Sequence, residues 1–183
     1  MDRRTCFKWM TNGLGAMFTA LIGIPGVSYL IDPRNRPAPA GAFRRVARLS
    51  DLKVGIPHQA VVNNIRRDAW TLHPNDVIGR VWLIRRSDDT VDAYTTICPH
   101  LGGSINFDAA NRCFVCPLHG AAYDLTCQRL LVPGKSNPAP RGMDKLESQL
   151  VDAPGGKDGT KDYFIEVKYQ NFIQGREEQV LKA

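Results

Sequence analysis

Hydrophobic patterning divides the chain into two unlike parts. Leu14–Ile31 is a run of eighteen residues without a charge. A helix of that length spans about 27 Å, close to the hydrocarbon thickness of a bilayer. From Phe43 onward the apolar stretches are short and strand-like. Phe43–Leu49 alternates in part, and Gln59–Val62, Val77–Ile84, Val91–Ile97, Arg112–Val115, Ala122–Leu125 and Tyr163–Tyr169 carry β-branched and aromatic residues. Turn signals at Pro74-Asn75-Asp76, Ser87-Asp88-Asp89, Pro154-Gly155-Gly156 and Lys157-Asp158-Gly159 separate them. No segment of helical period competes with these strands. The pattern predicts an all-β antiparallel sandwich preceded by one transmembrane helix. Asn171–Ala183, polar with a Glu-Glu pair, predicts a short helix or an ordered tail.

Between the two parts, Asp32–Gly41 holds Pro33, Pro37 and Pro39. That composition predicts a stiff, extended linker whose pivots lie at its ends. Residues 42–183, about 140 residues, suffice for one domain with its own core. Eighteen apolar residues exceed the usual length of a cleaved signal's apolar region, and no small-x-small site follows Ile31 directly, although Ala38-Pro-Ala40 comes close. The run therefore reads as a retained anchor over 14–31. The formal net charge of +6 does not indicate nucleic acid, since basic residues are not interleaved with stacking aromatics. It suits anionic lipid or an acidic protein face.

The chemistry lies in two short loops. Cys98-Pro-His100-Leu-Gly-Gly103 and Cys116-Pro-Leu-His119-Gly each supply one Cys and one His, with fifteen residues between His100 and Cys116. Four such ligands also suit zinc, but structural zinc sites pair cysteine with cysteine and histidine with histidine. A split of C-x-H and C-x₂-H suits a two-iron cluster, with both sulfurs on one iron and both imidazoles on the other. These loops resemble the Rieske family, whose [2Fe-2S] centre is held in this way. The resemblance implies a Rieske sandwich with an inserted cluster-binding subdomain at about 96–141. It also implies Cys98 and Cys116 as thiolate ligands and His100 and His119 as imidazole ligands. Neutral imidazoles in place of two thiolates make the cluster less negative, so it takes an electron more readily.

Further positions match the family or depart from it. Tyr123 matches a tyrosine whose hydroxyl bonds a cysteine sulfur. Leu101 matches the apolar residue beside the quinol-facing histidine, and Leu101, Leu118 and Pro138 are expected to shield the cluster. Asn137-Pro138-Ala139-Pro140 resembles the Gly-Pro-Ala-Pro loop on the cluster's third side, with Asn137 in the glycine's place because asparagine also tolerates positive φ. Respiratory members carry two further cysteines that clamp the loops; Gly103 and Leu118 stand there instead. Ala121 replaces a serine that donates to a cluster sulfur, which predicts a lower potential and a menaquinol-like donor. Of the other cysteines, Cys6, Cys113 and Cys127, the latter two read as buried free thiols, with a cross-link between them as the alternative. His58 and His73, without Cys partners nearby, read as surface residues.

Arg3-Arg4-Thr5-Cys6-Phe7-Lys8 resembles a twin-arginine export signal, a route for chains that fold before export. It places residues 1–13 in the cytoplasm and the head outside a bacterial inner membrane, in single-pass topology; loop charges alone do not decide this, with Arg34 and Arg36 beyond the span. The family resemblance implies an electron-transfer subunit of a multi-subunit, dimeric cytochrome bc-type quinol:cytochrome c oxidoreductase. The quinol would meet His119, with His100 beside it, and the partners would be a cytochrome b and a c-type cytochrome. The alternatives are a Rieske subunit of another exported oxidoreductase, such as arsenite oxidase, or a ferredoxin-type carrier.

Overall fold

A computed structural model describes residues 2–182 except 36–40, 68–70, 132, 135 and 155–160. Its residues fall into two compact units, 1–40 and 41–183. The first is a helix, α1 (Arg3–Asn35), which starts well before the expected anchor boundary and takes in the twin-arginine segment. An 18-residue stretch within Arg3–Leu30 has a mean hydropathy of 1.5, and the helix is long and apolar enough to cross a membrane. Leu14, Phe18, Leu21 and Ile24 are all exposed, as on a helix whose solvent is lipid. The Thr11 and Thr19 hydroxyls donate back to Phe7 O and Gly15 O, each at 2.9 Å, so neither is left unpaired on an apolar surface. Of the linker expected over 32–41, residues 32–35 continue α1 and residues 36–40 lie outside the described residues.

Among the described residues the second unit holds ten strands: β1 (Phe43–Arg48), β2 (His58–Arg67), β3 (Leu72–Ser87), β4 (Thr90–Thr95), β5 (Asn106–Asp108), β6 (Cys113–Cys116), β7 (Ala121–Tyr123), β8 (Lys145–Leu146), β9 (Ser148–Ala153) and β10 (Asp162–Lys168). They form three antiparallel sheets, ordered β1-β10-β9, β2-β3-β4-β8 and β5-β6-β7. The first two face each other across a core of Val62, Val81, Leu83, Leu146, Ile165 and Val167. A second core joins the small third sheet to the back of the β2-β3-β4-β8 sheet through Trp82, Ile84, Tyr94, Ile105, Phe114 and Tyr123.

The run Val81-Trp82-Leu83-Ile84 is apolar throughout because both faces of β3 are covered. Side chains alternate across a strand, so Val81 and Leu83 enter one core while Trp82 and Ile84 enter the other. Trp82 Nε1 donates to Ile105 O at 3.0 Å, tying the base sheets to the small one.

Two expectations need correction. Pro74-Asn75-Asp76 is not a turn but part of β3, with Asp76 opposite Asn64. The register shifts between Asn64 and Arg66, and β4 joins β3 only from Val81. Pro74 therefore sits at a bulge on a stretch whose other edge is unpaired, where its missing N–H leaves no ladder bond broken. Of the two alternatives for the C-terminal segment, the structure shows the ordered tail over 171–182; Ile173 N–H donates to Val180 O and Lys182 N–H to Asn171 O, both at 2.8 Å. Asn137 does not adopt positive φ; among the described residues other than glycine, only Arg112 and Cys127 do. The turn at Ser87-Asp88-Asp89 is present between β3 and β4. Those expected at Pro154-Gly155-Gly156 and Lys157-Asp158-Gly159 fall largely or wholly outside the described residues.

Candidate metal centre

The two Cys/His loops both start from the core around Phe114 and Tyr123, called the upper core, the core around Val62 and Ile165 being the lower one. The first follows β4 and is closed at its base by the Ile97–Ser104 bridge. Within it Cys98 N–H donates to Gly103 O at 2.7 Å and Gly102 N–H to Cys98 O at 2.9 Å. Gly102 has a φ of +79°, a left-handed conformation that costs glycine little. The turn thereby holds Cys98 inside while presenting Leu101 at its tip. The second loop is the β6–β7 hairpin turn, where Cys116 pairs with Ala121 and Gly120 N–H donates to Cys116 O at 3.0 Å.

Both thiols point inward, Cys98 being 1% and Cys116 2% exposed. His119 is exposed and His100 half-buried. Their rings lie edge to face with centroids 5.0 Å apart, so the loops bring the two imidazoles together at the surface. Gly103 makes this approach possible. A Cβ there would lie 2.6 Å from Leu118 Cδ1 and 2.9 Å from Cys116 Sγ.

The donor set fits a two-iron cluster. The four donors fall into a buried thiol pair and a surface imidazole pair. Among the described residues no three His, Cys, Asp or Glu side chains group as a single-ion site would require. Burial is the main cause raising the Cys98 thiol, and the adjacent Cys116 adds to it; the Tyr123 hydroxyl and the His100 N–H oppose the rise. Iron binding must displace such thiol protons, so it is coupled to proton release. Tyr123 is wholly buried with its hydroxyl oxygen 3.2 Å from Cys98 Sγ. Burial first, and Cys98 second, hold that phenol far above the ordinary tyrosine range. In this contact either the phenol O–H or the thiol S–H can donate.

The flanking positions are placed as follows. Ala121 is fully buried beneath the second loop. Leu101 and Leu118 are 65% and 62% exposed, and Pro138 is half-buried. The expected shield is thus an apolar rim open to solvent on its outer side, because two leucines at the tips of tight turns have no protein above them. Asn137 stands where its amide cross-links the turn. Its Nδ2 donates to Ala122 O at 2.6 Å and Leu130 O at 3.2 Å, and its Oδ1 accepts from Ala139 N–H at 3.1 Å.

The other candidates lie apart from this centre. Cys113 and Cys127 are buried free thiols, and Cys6 is an exposed free one. Burial pushes Cys127 up to about 12. His58 and His73 lie in β2 and β3 rather than in loops. Sequence reasoning missed Gly175, which reaches the first loop from the tail, and Arg141, which holds that tail from the Pro-rich turn. A lone arginine and a lone glycine give no motif by which to find them.

Known proteins bear out the family that the loops resemble and its [2Fe-2S] cluster. The chain is 26% identical over 157 residues to the menaquinol:cytochrome c reductase iron-sulfur subunit of Bacillus subtilis (strain 168), covering 83% of this chain and 88% of that subunit. It is 27% identical over 161 residues to the cytochrome b6-f complex iron-sulfur subunit 1 of the Cyanophora paradoxa cyanelle, over 82% of this chain. It spans 63% and 62% of the length of the two cyanelle subunits that it matches. Among solved structures, the plasma membrane Rieske protein of Synechocystis PCC 6803 aligns with 58% of this chain and 84% of its own, at 22% identity and a TM-score of 0.35. The Rieske [2Fe-2S] domain model matches residues 46–150, a stretch that takes in both loops, the whole core around Tyr123, and the other core apart from Ile165, Val167 and Phe172. More than half of the chain is thereby accounted for, and it belongs to the Rieske [2Fe-2S] domain family.

Proposed function

We propose that this chain is the membrane-anchored electron-transfer subunit of a cytochrome bc-type complex, taking an electron from quinol and passing it to a c-type cytochrome. One observation carries the reading: the sulfur donors and Tyr123 are buried, while His100 and His119 meet at the surface. A site arranged this way keeps its sulfurs from water and offers its imidazole edge to a reactant. Cys98 and Cys116 hold one iron as thiolates, and His100 and His119 hold the other. When bound, the [2Fe-2S] cluster supplies a one-electron acceptor.

The chain's own residues do the rest. His119, the more exposed imidazole, accepts the quinol hydroxyl's hydrogen bond at the ring nitrogen left free by ligation and takes up its proton there. His100 stands beside it as the second exposed edge. Leu101 and Leu118 give the quinol and the cytochrome an apolar rim to dock against, and a docked partner excludes water from it. Tyr123 keeps its proton and stabilises negative charge on the Cys98 sulfur. Ala121 offers no second hydroxyl, which favours a lower potential and a menaquinol donor, like the Bacillus subtilis relative's. Helix α1 anchors the subunit, with its N-terminus in the cytoplasm and the head outside. The partners are a cytochrome b and a c-type cytochrome in a dimeric complex.

The test is to purify the full chain from its native membranes and record electron paramagnetic resonance and optical spectra. A Rieske signal lost in His119→Ala and in Cys98→Ser, with haem b co-purifying, is the expected result. Full signal in either variant removes that residue from the ligand set. A molybdenum partner in place of haem b overturns the cytochrome bc assignment.

A further inference from the structure

The first ligand loop has few ties to the rest of the head. Among the described residues, the hydrogen bonds of 98–103 close within the loop apart from two. One is the Tyr123 hydroxyl at Cys98 Sγ. The other is Gly175 N–H, which donates to Pro99 O at 2.8 Å. Pro99 is fully buried between Cys98 and His100 in the chain, so this bond holds the peptide that spaces the two. No covalent link assists, because Cys98, Cys113, Cys116 and Cys127 are all free.

Gly175 is held in place because the tail is itself fastened. Phe172 is buried in the lower core. Arg141, which ends the Pro-rich turn, forks onto Asp144 at 2.7 and 2.9 Å. Its guanidinium also donates to Ile173 O at 3.1 Å and to Arg176 O. Those two carbonyls bracket Gly175. The Arg141 and Asp144 side chains are only 9% and 4% exposed, and Asp144 O accepts from Thr95 N–H in β4 at 2.9 Å. A guanidinium so enclosed is costly to leave partly bonded, so this junction has one well-defined arrangement.

We propose that Arg141 is a positioning residue acting through the C-terminal tail. It locks residues 173–176 so that Gly175 straps the first ligand loop at Pro99 and keeps His100 in register with His119. The strap rests on the ligand assignment proposed above for its purpose, while the junction itself is independent of it.

The test uses the full-length chain purified from membranes, with Arg141→Gln and Arg141→Lys, and with Arg48→Gln as a base-sheet control that loses an ion pair to Asp162. Hydrogen exchange read by mass spectrometry should rise together in peptides covering 97–104 and 171–182 in Arg141→Gln, less in Arg141→Lys, and in neither peptide in Arg48→Gln. Decay of the Rieske resonance signal in a chelator should speed about fivefold in Arg141→Gln, the scale of one net hydrogen bond, and stay unchanged in Arg48→Gln. Faster exchange in the tail alone, with 97–104 and the decay unchanged, overturns the strap. So does an Arg48→Gln variant that loses its signal equally fast. If Arg141→Gln does not accumulate, Gly175→Ala replaces it, because a φ of +75° strains alanine and loosens the strap from the other side. A parent chain without a Rieske signal overturns the ligand assignment, and the coupled exchange still decides the strap.

Discussion

Replacing Tyr123 by phenylalanine removes one oxygen from the centre and little else. The ring is wholly buried in the upper core, and phenylalanine keeps its packing. What is lost is the hydroxyl 3.2 Å from Cys98 Sγ. A hydrogen bond to a charged acceptor contributes about 1.5–3 kcal/mol. Only the part that differs between oxidised and reduced sulfur enters the potential, and that part is about half. For a one-electron couple about 1.4 kcal/mol corresponds to 59 mV, so about 0.75–1.5 kcal/mol lowers the potential by about 30–65 mV. Because the phenol is held far above its ordinary range, the drop should be the same from about pH 6 to about pH 9. The assay is a redox titration of parent and variant followed by circular dichroism or paramagnetic resonance. An unchanged or higher potential in Tyr123→Phe refutes the donor role, and so does a drop confined to high pH.

Three further outcomes follow from the same geometry. Ala121→Ser should raise the potential by a similar amount, read in the same titration, because it restores at this buried position the hydroxyl that the family resemblance places as a donor to a cluster sulfur; no rise would contradict this. Gly103→Ala should lower the iron content of the purified chain and its melting temperature. Its Cβ would meet Leu118 Cδ1 at 2.6 Å, overpacking of the kind that costs about 1–3 kcal/mol. Adding Leu118→Ala should restore part of both, and iron analysis with thermal melts checks this. Asp92→Asn should destabilise the head at neutral pH by about 1 kcal/mol, because Asp92 pairs with Arg86 at 2.8 Å and Lys145 at 2.7 Å. Burial acts to raise the Asp92 carboxyl, but Lys145 and Arg86 together bring it below the usual carboxylate range. Its contribution is therefore present above the unfolded value and lost as pH falls through the lower folded one. The difference in denaturant midpoint between parent and variant should close between about pH 4 and about pH 2.

The ligand loops were legible because a metal site writes its spacing into contiguous residues. Tyr123 and Pro138 followed from their distance to those loops. The strands with β-branched or aromatic runs were legible too, above all Val81–Ile84. Asn106–Asp108 and Lys145–Leu146 were not, since two or three residues carry no period. Ser148–Ala153 was missed because Gln149 and Asp152 dilute its apolar positions. Pro74 misled because its chemistry is that of a turn, while the bulge and open edge that accommodate it are set by β2 and β4. Arg141 and Gly175 were invisible for a different reason. Their partners lie far along the chain, Ile173 thirty-two residues beyond Arg141, and long-range pairing leaves no local pattern.

Strand β3 has a consequence for how the protein matures. Alternate residues of one strand serve different cores, so the small sheet cannot detach without baring Trp82 and Ile84 on the back of the base. The ligand loops therefore take shape only on a base that has already formed, and a cluster bound there stabilises both halves through mass action. A chain with a damaged base would be passed over at iron insertion and not merely unstable afterwards. On the proposed export route this gives a sequence of events: base sheets first, then the cluster, then passage across the membrane.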